Sequence, residues 1–294
     1  MLISSDNIER LRESVNRPMC EWAAMIRISE RHYREKITLP LIEIEDSALE
    51  ALSEELEITL EAVSSGNLDY RTLARRQSGN ATCLPGVYAT GAHSRVRTSS
   101  HILDFIEIHH GWRERNQILC RFQLNESIFA NLETKISIKF LSDLWLYLNS
   151  RGVTLEQFHQ IGKYSVLSNI NSVVGQHFRK FKSPKTAYES LFEVVNIHYD
   201  KNFTYRIKNL THSCCVVDAQ PNKDVLDELQ STTIGNEGSC ASRGGTMASI
   251  LGYLDLPYAD VTEINCIHRG DPQCRYIARY EDRPTRALSP RALQ

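Results

Sequence analysis

The chain has 294 residues, enough for two domains or for one large core with an accessory module. A formal net charge of −2 gives no global nucleic-acid signature, so any contact with DNA must come from a local patch. Eight cysteines without paired spacing, no secretory signal and no apolar run long enough to span a bilayer point to a reducing cytoplasm, off the membrane.

Charge is uneven in the N-terminal third. Residues 1–40 hold seven Arg or Lys against six acids, whereas residues 41–70 hold nine acids and no Arg or Lys. Only the first half can face phosphate. The apolar spacing predicts five short helices, Ile8–Ser14, Met19–Ile26, Ser29–Lys36, Ser47–Leu56 and Thr59–Ser64, with Ser29, Ser47 and Thr59 as N-caps. They make residues 1–66 a compact all-α module. The polar, glycine-containing stretch that follows sets a linker at 67–84.

The order and spacing of these helices resemble the lambda-repressor/Cro type of helix-turn-helix domain. Leu11-Arg12 matches the end of its first helix. Ala23, followed four residues later by Arg27-Ile28-Ser29, matches the small-residue turn between the two DNA-facing helices, and Tyr33 fills the apolar slot of the second. Residues Ser47 to Val63 match its closing helices. Arg27 stands where the family turn has glycine, and Met19 where it usually has glutamine. The resemblance implies that Ser29–Lys36 enters the major groove. Glu30, Arg31 and Arg34 would then reach base edges, while Arg12, Arg17, Arg27 and Lys36 hold phosphates. It implies double-stranded DNA as a partner and a homodimer on paired half-sites. Without it, the same helices read as a protein-interaction bundle.

Beyond the linker, strands are predicted at Ile102–Ile108 and Gln117–Leu124 across a His-His-Gly-Trp-Arg turn. Amphipathic helices follow at Lys139–Asn149 and Thr154–Leu167, the first ended by Gly152. Another helix covers Pro184–Tyr199, an antiparallel pair covers Phe203–Leu210 and Cys214–Ala219, and a further helix covers Cys240–Leu254. Helices flanking an antiparallel sheet make residues 85–281 α+β. Trp145, Phe192, His198, Tyr199, Phe203 and Tyr205 are candidates for a small-molecule pocket, since such sites combine an apolar lining with a few polar tips. Each, taken singly, also fits as ordinary core. The tail, 282–294, is polar, proline-punctuated and read as disordered.

The densest chemistry lies near the C-terminus. Cys240, Glu263, Cys266 and Cys274 gather around a turn-forming Gly270-Asp271-Pro272, and three soft sulfurs plus one oxygen suit a closed four-coordinate zinc site. Cys240 falls where a helix begins, which favours its thiolate. Glu263 and Cys266 are three residues apart and would face opposite sides of a regular strand, so a bulge or a strand end must lie between them. Three buried core cysteines with Glu263 on the surface fit the spacing as well. His268 is the nearest rival ligand.

The run from Cys240-Ala-Ser-Arg-Gly-Gly245 through Glu263-x-x-Cys266 to Gly270-Asp271-Pro272-x-Cys274 resembles the 4-vinyl-reductase-type sensor domain, also found in phenol- and xylene-responsive activators. The resemblance is concentrated in residues 235–281. It implies zinc held by Cys240, Glu263, Cys266 and Cys274. Together the two resemblances imply a DNA-binding transcriptional regulator whose C-terminal domain dimerises and senses a small-molecule effector. An adaptor or scaffold and a vinyl-reductase-like enzyme subunit are the alternatives. No dinucleotide or phosphate-loop motif is present, so a non-enzyme is expected.

Overall fold

The computed structural model describes residues 1–77 and 84–281. Its elements run β1 (Leu2–Ser4), α1 (Ser5–Ser14), α2 (Met19–Met25), α3 (Glu30–Lys36), β2 (Leu41–Glu43), α4 (Asp46–Leu56), α5 (Leu60–Ser65) and α6 (Tyr70–Gln77). They continue with α7 (Gly86–Ala89), β3 (Ser94–Arg95), α8 (Arg97–His110), α9 (Trp112–Arg121), β4 (Lys135–Ile136), α10 (Ile138–Ser150) and α11 (Leu155–Lys163). Then come α12 (Ser165–Asn169), α13 (Val173–Phe178), α14 (Pro184–Ser190), α15 (Asn196–Tyr199), β5 (Phe203–Leu210), β6 (Cys214–Pro221), α16 (Lys223–Glu228), α17 (Glu237–Ser249), β7 (Asp260–Asn265) and β8 (Cys274–Arg279). The fold is α+β. The tail and residues 78–83 of the linker fall outside the described residues.

Two compact units emerge. One joins Met1–Leu84 to Trp112–Asn131; the other joins Pro85–Gly111 to Leu132–Gln294. In the first unit, Ile8, Leu11, Trp22, Ala23, Tyr33, Leu49, Leu52 and Leu56 share one core. Ser29 and Thr59 cap α3 and α5, accepting from the His32 and Ala62 amides. Ser47 does not cap α4; Glu45 precedes that helix without a side-chain cap, and the Ser47 hydroxyl instead accepts from Arg27 at 2.9 Å. β1 and β2 pair antiparallel, Ile3 opposite Ile42, a contact that strands of three residues do not announce in sequence. The Trp112 indole N–H donates to Asp6 at 2.6 Å, and the Arg113 guanidinium donates to the same carboxylate.

Both predicted strands of the region 100–124 are helical. Ile102, Leu103 and Ile106 in α8, and Arg115, Ile118 and Leu119 in α9, are the buried positions. Spacings of three and four residues mark a helical stripe.

In the second unit, a four-stranded antiparallel sheet has the order β5-β6-β8-β7. Cys215, Val217 and Ala219 on β6, with Cys274, Tyr276 and Ala278 on β8, alternate onto its buried face and pack with Met247, Ile250 and Leu251 of the adjoining helix. Asp218 takes a bidentate ion pair from Arg275 at 2.5 and 2.8 Å.

α17 meets α11 at backbone distance. A Cβ built on Gly245 would lie 1.9 Å from the His159 carbonyl oxygen, and one on Gly162 would lie 1.9 Å from that of Ser242. On the neighbouring Gly244 the nearest atom would be 3.6 Å away. Gly245→Ala should therefore cost about 3 kcal/mol in urea denaturation, because backbone cannot yield as a side chain can. Gly244→Ala should be neutral or stabilising by up to about 1 kcal/mol from helix propensity. Equal effects from both would show that the helices can separate freely.

Candidate ligand cavity and thiol cluster

The second unit contains a partly open cavity of about 160 Å³. Its wall is apolar where Ile138, Leu141, Leu191, Phe203, Met247 and Ile250 meet. Polar groups enter it from three helices and one strand: Arg97 and His101 from α8, Trp145 from α10, Arg243 from α17 and Tyr205 from β5. A π-helical turn at Leu191–Val195 forms another part of the wall, a backbone irregularity common at functional sites.

His101 is only 6% exposed, and neither ring nitrogen has a hydrogen-bond partner of good geometry. Burial pushes the imidazole down to about 4, with the Arg97 backbone and Asp104 pulling weakly the other way, so it is neutral at pH 7. The buried Trp145 indole N–H is also unpartnered. Arg97 is engaged: it donates to Asn169 at 3.0 Å and Ser172 at 3.1 Å and pairs with Glu133. Arg243 differs. Its guanidinium lies over the Phe203 ring at 3.7 Å and reaches the Tyr276 hydroxyl at 3.4 Å and the Cys240 sulfur at 3.9 Å. Among the described residues no carboxylate forms an ion pair with it.

Beside the cavity, Cys240, Glu263, Cys266 and Cys274 bring one donor atom each to within 4.8 Å of one another. α17 supplies Cys240, one turn inside an N-terminus capped by Asn236. The β7–β8 hairpin supplies the rest. A register shift between Glu263 and Asn265 is the irregularity that turns Glu263 towards the cysteines. Gly270 takes φ +93°, and Asp271 accepts from the Cys266 amide at 2.7 Å, so the turn folds Cys274 back. The Cys240 and Cys274 sulfurs are 3.5 Å apart. Hydrogen bonds from Cys240 pull the Cys266 and Cys274 thiols down, and the same bonds push Cys240 up. Burial, then the neighbouring thiols, push Glu263 up to about 8, and its buried Oε1 has no partner. Three sulfurs and an open carboxylate oxygen in one buried group form a donor set that a metal cation can fill. His268, the rival, lies outside the set.

Of the pocket candidates, Trp145, Phe203 and Tyr205 line the cavity. Phe192 packs behind it, its ring 5.4 Å from that of Tyr205, and His198 is exposed. The Tyr199 side chain is outside the description. Sequence reasoning missed His101, which falls just ahead of the predicted strand Ile102–Ile108, and Arg243, read only as part of the Cys240 motif.

The residues assigned to DNA are occupied within their own unit. Arg12 is bound to Glu9 at 2.7 Å, to Glu13 at 3.2 Å and to the Arg17 carbonyl at 2.7 Å. Arg17 pairs with Glu55 at 3.0 Å, and Lys36 donates to the Glu43 carbonyl at 3.3 Å. On α3, Arg31 pairs with Glu35 at 3.1 Å and Arg34 with Glu30 at 2.6 Å. Both arginines of α3 are thus paired with a glutamate of the same helix.

No family model matches this chain, and no curated protein matches it. Solved structures do. An Fe(II) unliganded H-NOX protein from K. algicida is 11% identical over 66% of this chain and 100% of that one, with a TM-score of 0.45. A mutant H-NOX protein from S. oneidensis in the Fe(II) ligation state is 12% identical over 64% and 97%, with a TM-score of 0.46. The NMR structure of a mutant H-NOX domain from Shewanella oneidensis in the Fe(II)CO state is 12% identical over 63% and 97%, with a TM-score of 0.43. Likeness at this level assigns neither cofactor nor activity.

These matches correct the family readings. The similar structures are H-NOX proteins described with Fe(II), not a helix-turn-helix domain joined to a vinyl-reductase-type sensor. The DNA-binding transcriptional regulator is withdrawn, with its duplex-DNA partner, its homodimer and its transcriptional effector. So are the adaptor and vinyl-reductase alternatives. Zinc as the cofactor is withdrawn too: the similar structures are described with iron, and four clustered donors do not select an element. No helix among the described residues is long and apolar enough to cross a membrane.

Proposed function

We propose that residues 85–111 and 132–281 form a small-molecule-binding module in which the cavity takes the ligand. Cys240, Glu263, Cys266 and Cys274 would hold a metal ion that ties α17 to the β7–β8 hairpin. The observation that carries the reading is His101, a buried imidazole on a mostly apolar cavity, neither of whose nitrogens has a hydrogen-bond partner of good geometry. An unpaired buried polar group costs about 1–3 kcal/mol, a cost that a bound partner removes. Trp145 adds a second unanswered donor in the same wall. The cavity's polar groups recognise rather than react, so the proposal includes no catalytic step.

Apolar cavities of about 150 Å³ hold benzene-sized molecules. Titration calorimetry with benzene-sized probes should therefore give saturable binding to the wild type. Val195→Phe, which places a ring in the cavity wall, should weaken that binding at least tenfold with far-UV circular dichroism unchanged. Binding that survives Val195→Phe would place the ligand elsewhere. Elemental analysis of the purified protein would read the metal and its element, iron included.

A further inference from the structure

The cavity reading says that something small binds; the charges in its wall say what kind. Arg243 is the decisive group. It is fixed by stacking on Phe203, it lines the cavity, and no carboxylate of the described residues pairs with it. Arg97 is matched by Glu133, and the half-buried Asp200, a carboxylate in the same wall, accepts from the neutral Asn202 amide at 3.2 Å. The Tyr276 hydroxyl is committed as donor to the Cys240 carbonyl at 3.2 Å, so it can accept from Arg243 but cannot neutralise it. The Cys240 sulfur accepts from Arg243 at 3.9 Å, through the same Nη1 that reaches Tyr276.

A guanidinium without a carboxylate ion pair suits a planar oxyanion, which it binds through two parallel N–H donors. His101 and Trp145 supply further donors in the same wall. The aromatic and aliphatic side chains between them leave room for about one ring.

We infer that the cavity binds a small monocarboxylic acid with a ring-sized apolar body, its carboxylate on Arg243 and its body against Leu141, Met247 and Ile250. This rests on the cavity being the ligand site, and the test separates the two ideas.

Wild-type protein is titrated with benzoate, benzamide, benzyl alcohol and benzene. Benzoate should bind about 10- to 100-fold more tightly than benzamide, which has the same shape without the charge. Arg243→Gln should close that gap, and Arg243→Lys should restore part of it. Metal content measured on both variants shows whether the thiol cluster is intact. Equal binding of all four probes would overturn the acid assignment and leave the cavity reading standing. Binding of benzene alone would do the same. No binding by any probe would remove both. Should the Arg243 variants fail to fold, the wild-type ratio of benzoate to benzamide still decides. A benzoate preference that persists in well-folded Arg243→Gln with its metal retained would show that the charge is read elsewhere, and the inference falls.

Discussion

Cys274→Ser should retain less than a tenth of the metal found in the wild type and should be recovered largely insoluble. Cys274 joins β8 to the cluster, where its sulfur sits 3.5 Å from that of Cys240. A serine hydroxyl is a poor ligand for a cation chosen by soft sulfur. Metal binding at a site absent from the unfolded chain is folding free energy and reaches about 10 kcal/mol or more in small metal-stabilised domains. The second unit has a large core of its own, so a loss of several kcal/mol is expected here. Glu263→Gln should be milder, because the amide oxygen still offers one lone pair. The decisive readings are metal per chain by elemental analysis and the urea midpoint of each variant. A wild type without stoichiometric metal, and a Cys274→Ser cost near 1 kcal/mol, would make the four residues an ordinary buried thiol group.

What the sequence revealed was local. Ser29 and Thr59 were readable as caps because a cap is one side chain and one amide three residues on. The pair 203–210 and 214–221 was readable because both strands sit side by side in the chain. Even the shift after Glu263 followed from the mismatch between its spacing to Cys266 and the period of a strand. What stayed hidden was tertiary. β1 and β2 pair across about forty residues with three residues each. The cavity draws His101, Trp145, Tyr205 and Arg243 from four elements spread over more than 140 positions, and no window of sequence contains two of them. The electrostatic misreading of α3 has the same origin. Arg31 and Arg34 look like free cations in a list of charges, but one turn along the helix each meets a glutamate.

The wild type should lose stability relative to His101→Gln as pH drops from 6.5 to 4. The imidazole has an ordinary value of 6.5 and is held at about 4 by burial. Above pH 6.5 the ring is neutral in both folded and unfolded chains, and its contribution is complete. Below it the unfolded chain takes up a proton that the folded chain refuses, so the unfolded state gains until the pH reaches the folded value. A gap of about 2.5 units corresponds to roughly 3 kcal/mol over that window. His159 and His268, also lowered by burial, add slope of the same sign and Glu263, raised by burial, adds slope of the opposite sign; both cancel when the variant is compared with the wild type. Urea unfolding at pH 7.0, 6.0, 5.0 and 4.5 gives the comparison. His101→Gln should gain roughly 2–3 kcal/mol on the wild type between the ends of that series. Parallel curves would mean that the ring protonates in place, which requires water or an acceptor beside it and contradicts a dry cavity wall. A cavity ligand should raise the curve by RT ln(1 + [L]/Kd), and one that accepts a hydrogen bond from His101 should also flatten the slope, which links this measurement to the binding titrations.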